Sequence, residues 1–134
     1  MLIRFLLIAL SACVTYGADV TMVDRAADSP TGSEFAARVA PLDLAARERA
    51  IIAEVKRGNV PTFWRKFVEV KVTGSAGAAV FRAAPDYFAI GSDDDYFLMP
   101  MTPITAQSIA DELGCPLPTR KMVDDIWRAA AEKF

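Results

Sequence analysis

Hydrophobic and polar positions change period along this chain. From Phe67 to Val72 they alternate, with Val68, Val70 and Val72 set against Glu69 and Lys71. That period of two predicts a half-buried strand. On either side the period lengthens towards 3.6. Leu44, Ile51, Ile52 and Val55 recur on one face of 44–57, while Arg47, Glu48, Arg49, Glu54 and Lys56 fall on the other, which predicts an amphipathic helix. Asp43 stands at its N-cap, Lys56 and Arg57 complement the negative end of its dipole, and Gly58 follows as the C′ residue. Ser33 is placed to cap a shorter helix over 34–40, with Phe35 and Val39 four apart and Pro41 ending it. Thr102 caps a third helix with Pro103 at its first position, Ala106, Ile109, Ala110 and Leu113 inward, and Gly114 as its stop. Thr119 caps a fourth, from Arg120 to about Lys133. Met122, Val123, Ile126, Trp127 and Ala130 form its inner face, and Lys121, Asp124, Asp125, Arg128 and Glu132 its outer one.

The helical stripes need a surface to cover. Two β-rich runs, 80–90 and 96–101, flank the short polar turn Gly91–Asp95 and read as a hairpin. Gly74-Ser75-Ala76-Gly77 turns the 67–72 strand into the next one. No lysine follows that run, so it is a turn and not a phosphate loop. Pro85 interrupts the long strand, which implies an edge position or a bulge. Phe63, Trp64 and Phe67 interleave with Arg65 and Lys66. This reads as a short helical turn burying Phe63 and Phe67 rather than as a base-stacking surface. The expected fold is a small α+β domain: two N-terminal helices, a three-stranded antiparallel β-meander, and two C-terminal helices packed on the sheet.

The first seventeen residues carry a different pattern. Arg4 is a short basic start, 5–12 an apolar core, and Thr15 and Gly17 are small enough for the −3 and −1 positions of a signal-peptidase site. Residues 1–17 therefore read as a signal peptide, 18–32 as a flexible linker rich in Asp, Ser, Pro and Gly, and 33–134 as one folded domain. Leu10-Ser11-Ala12-Cys13 also fits a lipobox, in which Cys13 would be acylated. Either reading exports the product to the periplasm or beyond, with the membrane involved only through the signal or a lipid anchor on Cys13.

Composition narrows the function. The chain of 134 residues is 53% hydrophobic and 24% charged, enough to bury a core. Residues 1–17 hold one of the 15 basic residues and none of the 17 acidic ones, so their removal leaves a net charge near −3. Without a basic stripe there is no electrostatic footprint for nucleic acid. The same removal leaves Cys115 as the one cysteine, which predicts a buried thiol and no internal disulfide.

The sequence contains no histidine. Ser-His-Asp and Cys-His catalysis and the usual zinc sites are therefore excluded within this chain. No serine is followed three positions later by lysine, so a Ser-Lys pair of the penicillin-binding kind is missing as well. No catalytic residue, cofactor or metal is assigned. Two weaker features remain. Asp93, Asp94 and Asp95 could hold a cation, although three consecutive acids lack the alternate spacing of a calcium loop, and a solvated turn is the simpler reading. Thr119, Arg120 and Lys121 place cations at a helix N-terminus against the macrodipole. A bound carboxylate or phosphate would offset this, and so would Asp124 or Asp125 one turn on.

The run PDYFAIGSDDDYFLMPMTPITAQSIADELGCPLPTRKMVDDIW, 85–127, resembles a segment of an uncharacterised family of exported bacterial proteins, and Gly58-Asn59-Val60-Pro61 is similar too. The resemblance implies that family members continue past the last helix into a half bearing histidines and an aspartate that look like a hydrolase or metal site. This chain would then be an N-terminal portion without that site. The expectation is an exported, non-catalytic binding or structural domain of no indicated partner. The alternative is the N-terminal part of a secreted hydrolase, directed at the cell wall, whose catalytic half lies elsewhere.

Overall fold

The computed structural model describes Val14–Thr15 and residues 20–131. The signal core, Cys13, Gly17, Ala18 and the expected end of the last helix at Lys133 lie outside the described residues. Those residues form an α+β fold with four α-helices, a single 3₁₀ turn and two antiparallel sheets. In chain order the elements are β1 Val14–Thr15, α1 Gly32–Val39, α2 Leu44–Lys56, the 3₁₀ turn Phe63–Arg65, β2 Val68–Gly74, β3 Gly77–Ala83, β4 Ala89–Gly91, β5 Tyr96–Leu98, α3 Pro103–Glu112 and α4 Arg120–Ala129.

The expected three-stranded meander is divided. β2 and β3 pair from Val68↔Ala83 to Gly74↔Gly77, but the long strand stops at Ala83, two residues before Pro85. Proline has no N–H for the ladder, and the residue before it is sterically restricted. The chain resumes as β4, which pairs only with β5: Ala89↔Leu98, Ile90↔Phe97 and Gly91↔Tyr96. The free edge of β3 is taken instead by β1, through Val14↔Ala83 and Thr15↔Arg82. The sheets are thus β1-β3-β2 and β4-β5.

Two apolar clusters follow from this division. The larger one joins α1, α2, α3, the 3₁₀ turn and β4 through Phe35, Val39, Ile51, Val55, Trp64, Phe88, Ile90 and Ile109. The smaller lies on the other sheet, where Val14, Val70, Phe81 and Ala83 are covered by Val72 and by Met122 and Ile126 of α4. Trp64 sits at the centre of the larger cluster, edge-on to Phe67 and Phe88 at centroid distances of 5.7 and 4.8 Å. It, rather than Phe63, is the buried aromatic with Phe67.

Several element details differ from the pattern. α1 is capped by Thr31, two residues earlier than expected, in a capping box with Glu34. Ser33 is engaged elsewhere, as described below. Glu54 points into the body instead of the solvent, while Leu44 and Trp127 are more than half exposed. Residues from Val20 to Thr31 run across the body rather than hanging free. Val20 enters the larger cluster, and the Arg25 guanidinium ties this segment to Asn59.

Candidate functional site

The turn between β4 and β5 lies where three elements meet. Ser92 shapes it: its N–H donates to the Asp95 carbonyl at 2.9 Å, and its hydroxyl accepts from the Asp95 N–H at 3.1 Å. The Asp95 carbonyl also accepts from the Gly32 N–H at 2.8 Å, at the first residue of α1. The Asp95 carboxylate Oδ1 accepts from both the N–H and the hydroxyl of Ser33, each at 2.9 Å. A carboxylate over the first turn of a helix meets unpaired N–H groups and the positive end of the dipole. The Asp95 carboxyl is held below its ordinary 3.8, first by the Thr31 side chain and then by Ser33, against a smaller opposing effect of partial burial.

Asp93 turns the other way. Its Oδ1 accepts from the Phe63 N–H at 3.2 Å, opening the 3₁₀ turn. Phe63 then packs edge-on against Tyr96 with ring centroids 4.9 Å apart. Asp94 remains exposed. The three carboxylates therefore diverge and do not form a cation site. Among the described residues no group of three or more acidic, cysteine or histidine side chains is gathered for a metal. The acidic turn is a clasp that fastens α1 and the 3₁₀ turn to the β4–β5 sheet. Glycine makes the close approach possible. A Cβ on Gly32 would collide with the Tyr96 backbone, and Gly91, at φ +128°, sits against the Asp95 carbonyl and Gly32.

A buried polar network adjoins the clasp. Asn59, fully buried, accepts from Arg25 Nε at 2.8 Å and donates from Nδ2 to Glu54 Oε2 at 2.8 Å and the Pro30 carbonyl at 3.0 Å. Its own carbonyl accepts from Gly91 N–H at 3.2 Å. Glu54 Oε1 accepts from Arg38 at 2.7 Å, with Arg57 at 3.9 Å. Arg25 reaches the Ser29 and Pro30 carbonyls, and Arg65 reaches those of Gly58, Val60 and Val23. A carboxylate 97% buried is tolerable because cations and amides surround it. Sequence reasoning placed Glu54 on the wet face. The available signals were its position next to Val55 in the inward stripe and the Asn directly after the helix-ending glycine.

The second sequence-derived site is occupied by its own helix. The Thr119 hydroxyl accepts from Met122 N–H at 3.3 Å. Lys121 Nζ donates to Asp125 Oδ2 at 2.6 Å, and Arg128 donates to Asp125 Oδ1 at 3.2 Å. Asp125, assigned to the outer face by its spacing, is buried between them, and Arg120 is exposed. A neutralising acid one turn on therefore accounts for Lys121 without an anion.

Between α3, the 3₁₀ turn and the 115–118 connector lies a small apolar cavity of about 20 Å³. It is lined by Trp64, Phe88, Met101, Ile109, Leu113 and Leu117. That is room for about one water molecule, within a lining that is chiefly apolar. Cys115, which follows α3, packs in the larger cluster. It is buried, and in the full chain it is disulfide-bonded, whereas the expectation of no internal disulfide was made for a chain without residues 1–17. Val14 instead lies in the sheet, and its N–H donates to the Pro116 carbonyl at 3.2 Å, one residue from Cys115.

Comparison with protein-family models, with curated proteins and with solved structures finds no match to this chain.

Proposed function

We propose that this chain is an exported, non-catalytic domain with a binding or structural role in the bacterial cell envelope. The observation that carries the reading is the use of the polar groups. Asp93 and Asp95 hold backbone N–H groups of two other elements, Glu54 and Asn59 hold arginines, and Lys121 holds Asp125. Groups committed in this way position a scaffold. The export part rests on the basic start and apolar run of the first residues, and the envelope part on the resemblance of 85–127 to exported bacterial proteins.

The experiment combines two readouts on the full chain with its own N-terminus. A fusion to alkaline phosphatase, which matures only outside the cytoplasm, is expected to be active in a bacterial host. The purified protein is then incubated with isolated peptidoglycan sacculi and envelope membranes. It is expected to sediment with one of them while releasing no soluble fragments. An inactive fusion overturns export. Release of muropeptides overturns the non-catalytic reading in favour of the hydrolase, and failure to sediment with either fraction overturns the envelope role.

A further inference from the structure

Cys115 is disulfide-bonded, and the sequence contains two cysteines in all. We infer that Cys13 is its partner, and that any export cleavage falls before Cys13, so that the mature chain keeps β1 and carries no lipid on this cysteine. The inference rests on the export reading above and replaces the cut after Gly17.

Three observations converge on it. First, Val14 is 1% exposed in the smaller cluster with Val70, Phe81 and Ala83, so a cut after Gly17 would remove a core side chain. Second, Val14 and Thr15 complete the three-stranded sheet in register with Ala83 and Arg82, and their loss would open the edge of β3. Third, the Val14 N–H is bonded to the Pro116 carbonyl. The two cysteines are the immediate chain neighbours of that bonded pair, on the same side in sequence, so closing one contact brings the other within reach.

The chemistry also decides between the two fates of Cys13. Lipidation makes its sulfur a thioether, and a thioether sulfur cannot enter an S–S bond. The disulfide forms by exchange with the disulfide of an envelope thiol oxidoreductase. One thiolate attacks that disulfide and the second resolves the mixed intermediate. Two S–H bonds and the oxidoreductase's S–S bond are lost, one S–S bond forms in this chain, and the oxidoreductase departs as a dithiol carrying the two protons and the two electrons.

The test is intact mass and N-terminal sequencing of the protein from its native host. The preparation is made without reductant and alkylated with iodoacetamide before and after reduction. The expected result is an N-terminus at or before Cys13, no alkylation before reduction and two alkylated cysteines after it. An N-terminus at Met1 with the same alkylation pattern supports the disulfide and means that the N-terminal segment is kept uncleaved. An N-terminus at Ala18, an acyl mass on Cys13, or alkylation of Cys115 without reduction each overturns the inference while leaving export standing.

Discussion

At the scale of single residues, three consecutive aspartates have three different roles. Asp95 anchors α1, Asp93 opens the 3₁₀ turn and Asp94 faces solvent. Nothing local distinguishes them, because their partners Ser33 and Phe63 lie 62 and 30 residues away. That is why the sequence shows an acidic turn and not a clasp. The depressed Asp95 carboxyl gives a pH prediction. A carboxyl whose folded value lies below its unfolded 3.8 stabilises the fold above that value, and the contribution fades as the pH falls through the folded value. Glu48 follows the same rule. Burial, the largest effect, raises it, but the hydrogen bonds from Thr102 and Thr105 together outweigh that and hold it below its ordinary 4.5. The urea midpoint should therefore be flat from neutral pH to about 5 and fall below about 4. Asp95→Ala should lower the midpoint at pH 7 and flatten the acid limb, whereas Asp94→Ala should leave both unchanged. Equal effects of the two substitutions would dismiss the clasp.

At the scale of elements, the caps were legible and the pairings were not. Asp43, Thr102 and Thr119 cap the helices that their positions imply, because a cap is a contact within one turn. The fourth cap moved to Thr31 because Thr31 and Glu34 complete a capping box that Ser33, drawn to Asp95, cannot. The division of the meander depends on Pro85, whose disruptive position was visible. That β3 takes β1 as its second neighbour was not, since a two-residue strand carries no period. The inward turn of Asp125 was equally hidden, because it is fixed by Lys121 and Arg128 together. α1 comes close to β5 where Gly32 abuts the Tyr96 backbone. Backbone cannot rotate aside as a side chain can, so Gly32→Ala should force the helix off the sheet at a cost of about 1–3 kcal/mol. Equilibrium urea unfolding reads the loss. Gly74→Ala, with open space around its Cβ, is the control that should change stability far less. A Gly32→Ala protein as stable as wild type would mean that the α1–β5 contact is looser than described.

At the scale of the whole molecule, the two clusters are held by different means. The larger is crossed by the clasp, the Arg25–Asn59–Glu54 network and the Glu48–Thr102 bond, all of which join segments distant in sequence. The smaller has a two-residue strand at one edge and α4 over its face. β1 is too short to hold its place by ladder bonds alone, so the disulfide at Cys115 is the natural anchor for it. If Cys13 is the partner, the bond closes a loop of about 100 residues. Cross-links of that size stabilise by roughly 3–5 kcal/mol, chiefly by restricting the unfolded chain. Reduction should therefore lower the unfolding free energy by about that amount. The loss should begin locally. Amide protection should fall first in β2, β3 and α4, where β1 is released, and persist in α1, α2 and the 3₁₀ turn, which the clasp and the Arg25–Asn59–Glu54 network hold independently of β1. Hydrogen exchange with and without reductant separates the two regions. Uniform loss of protection would mean that the clusters unfold as one unit. No change on reduction would mean that β1 is held by packing alone and that the disulfide contributes nothing to the fold.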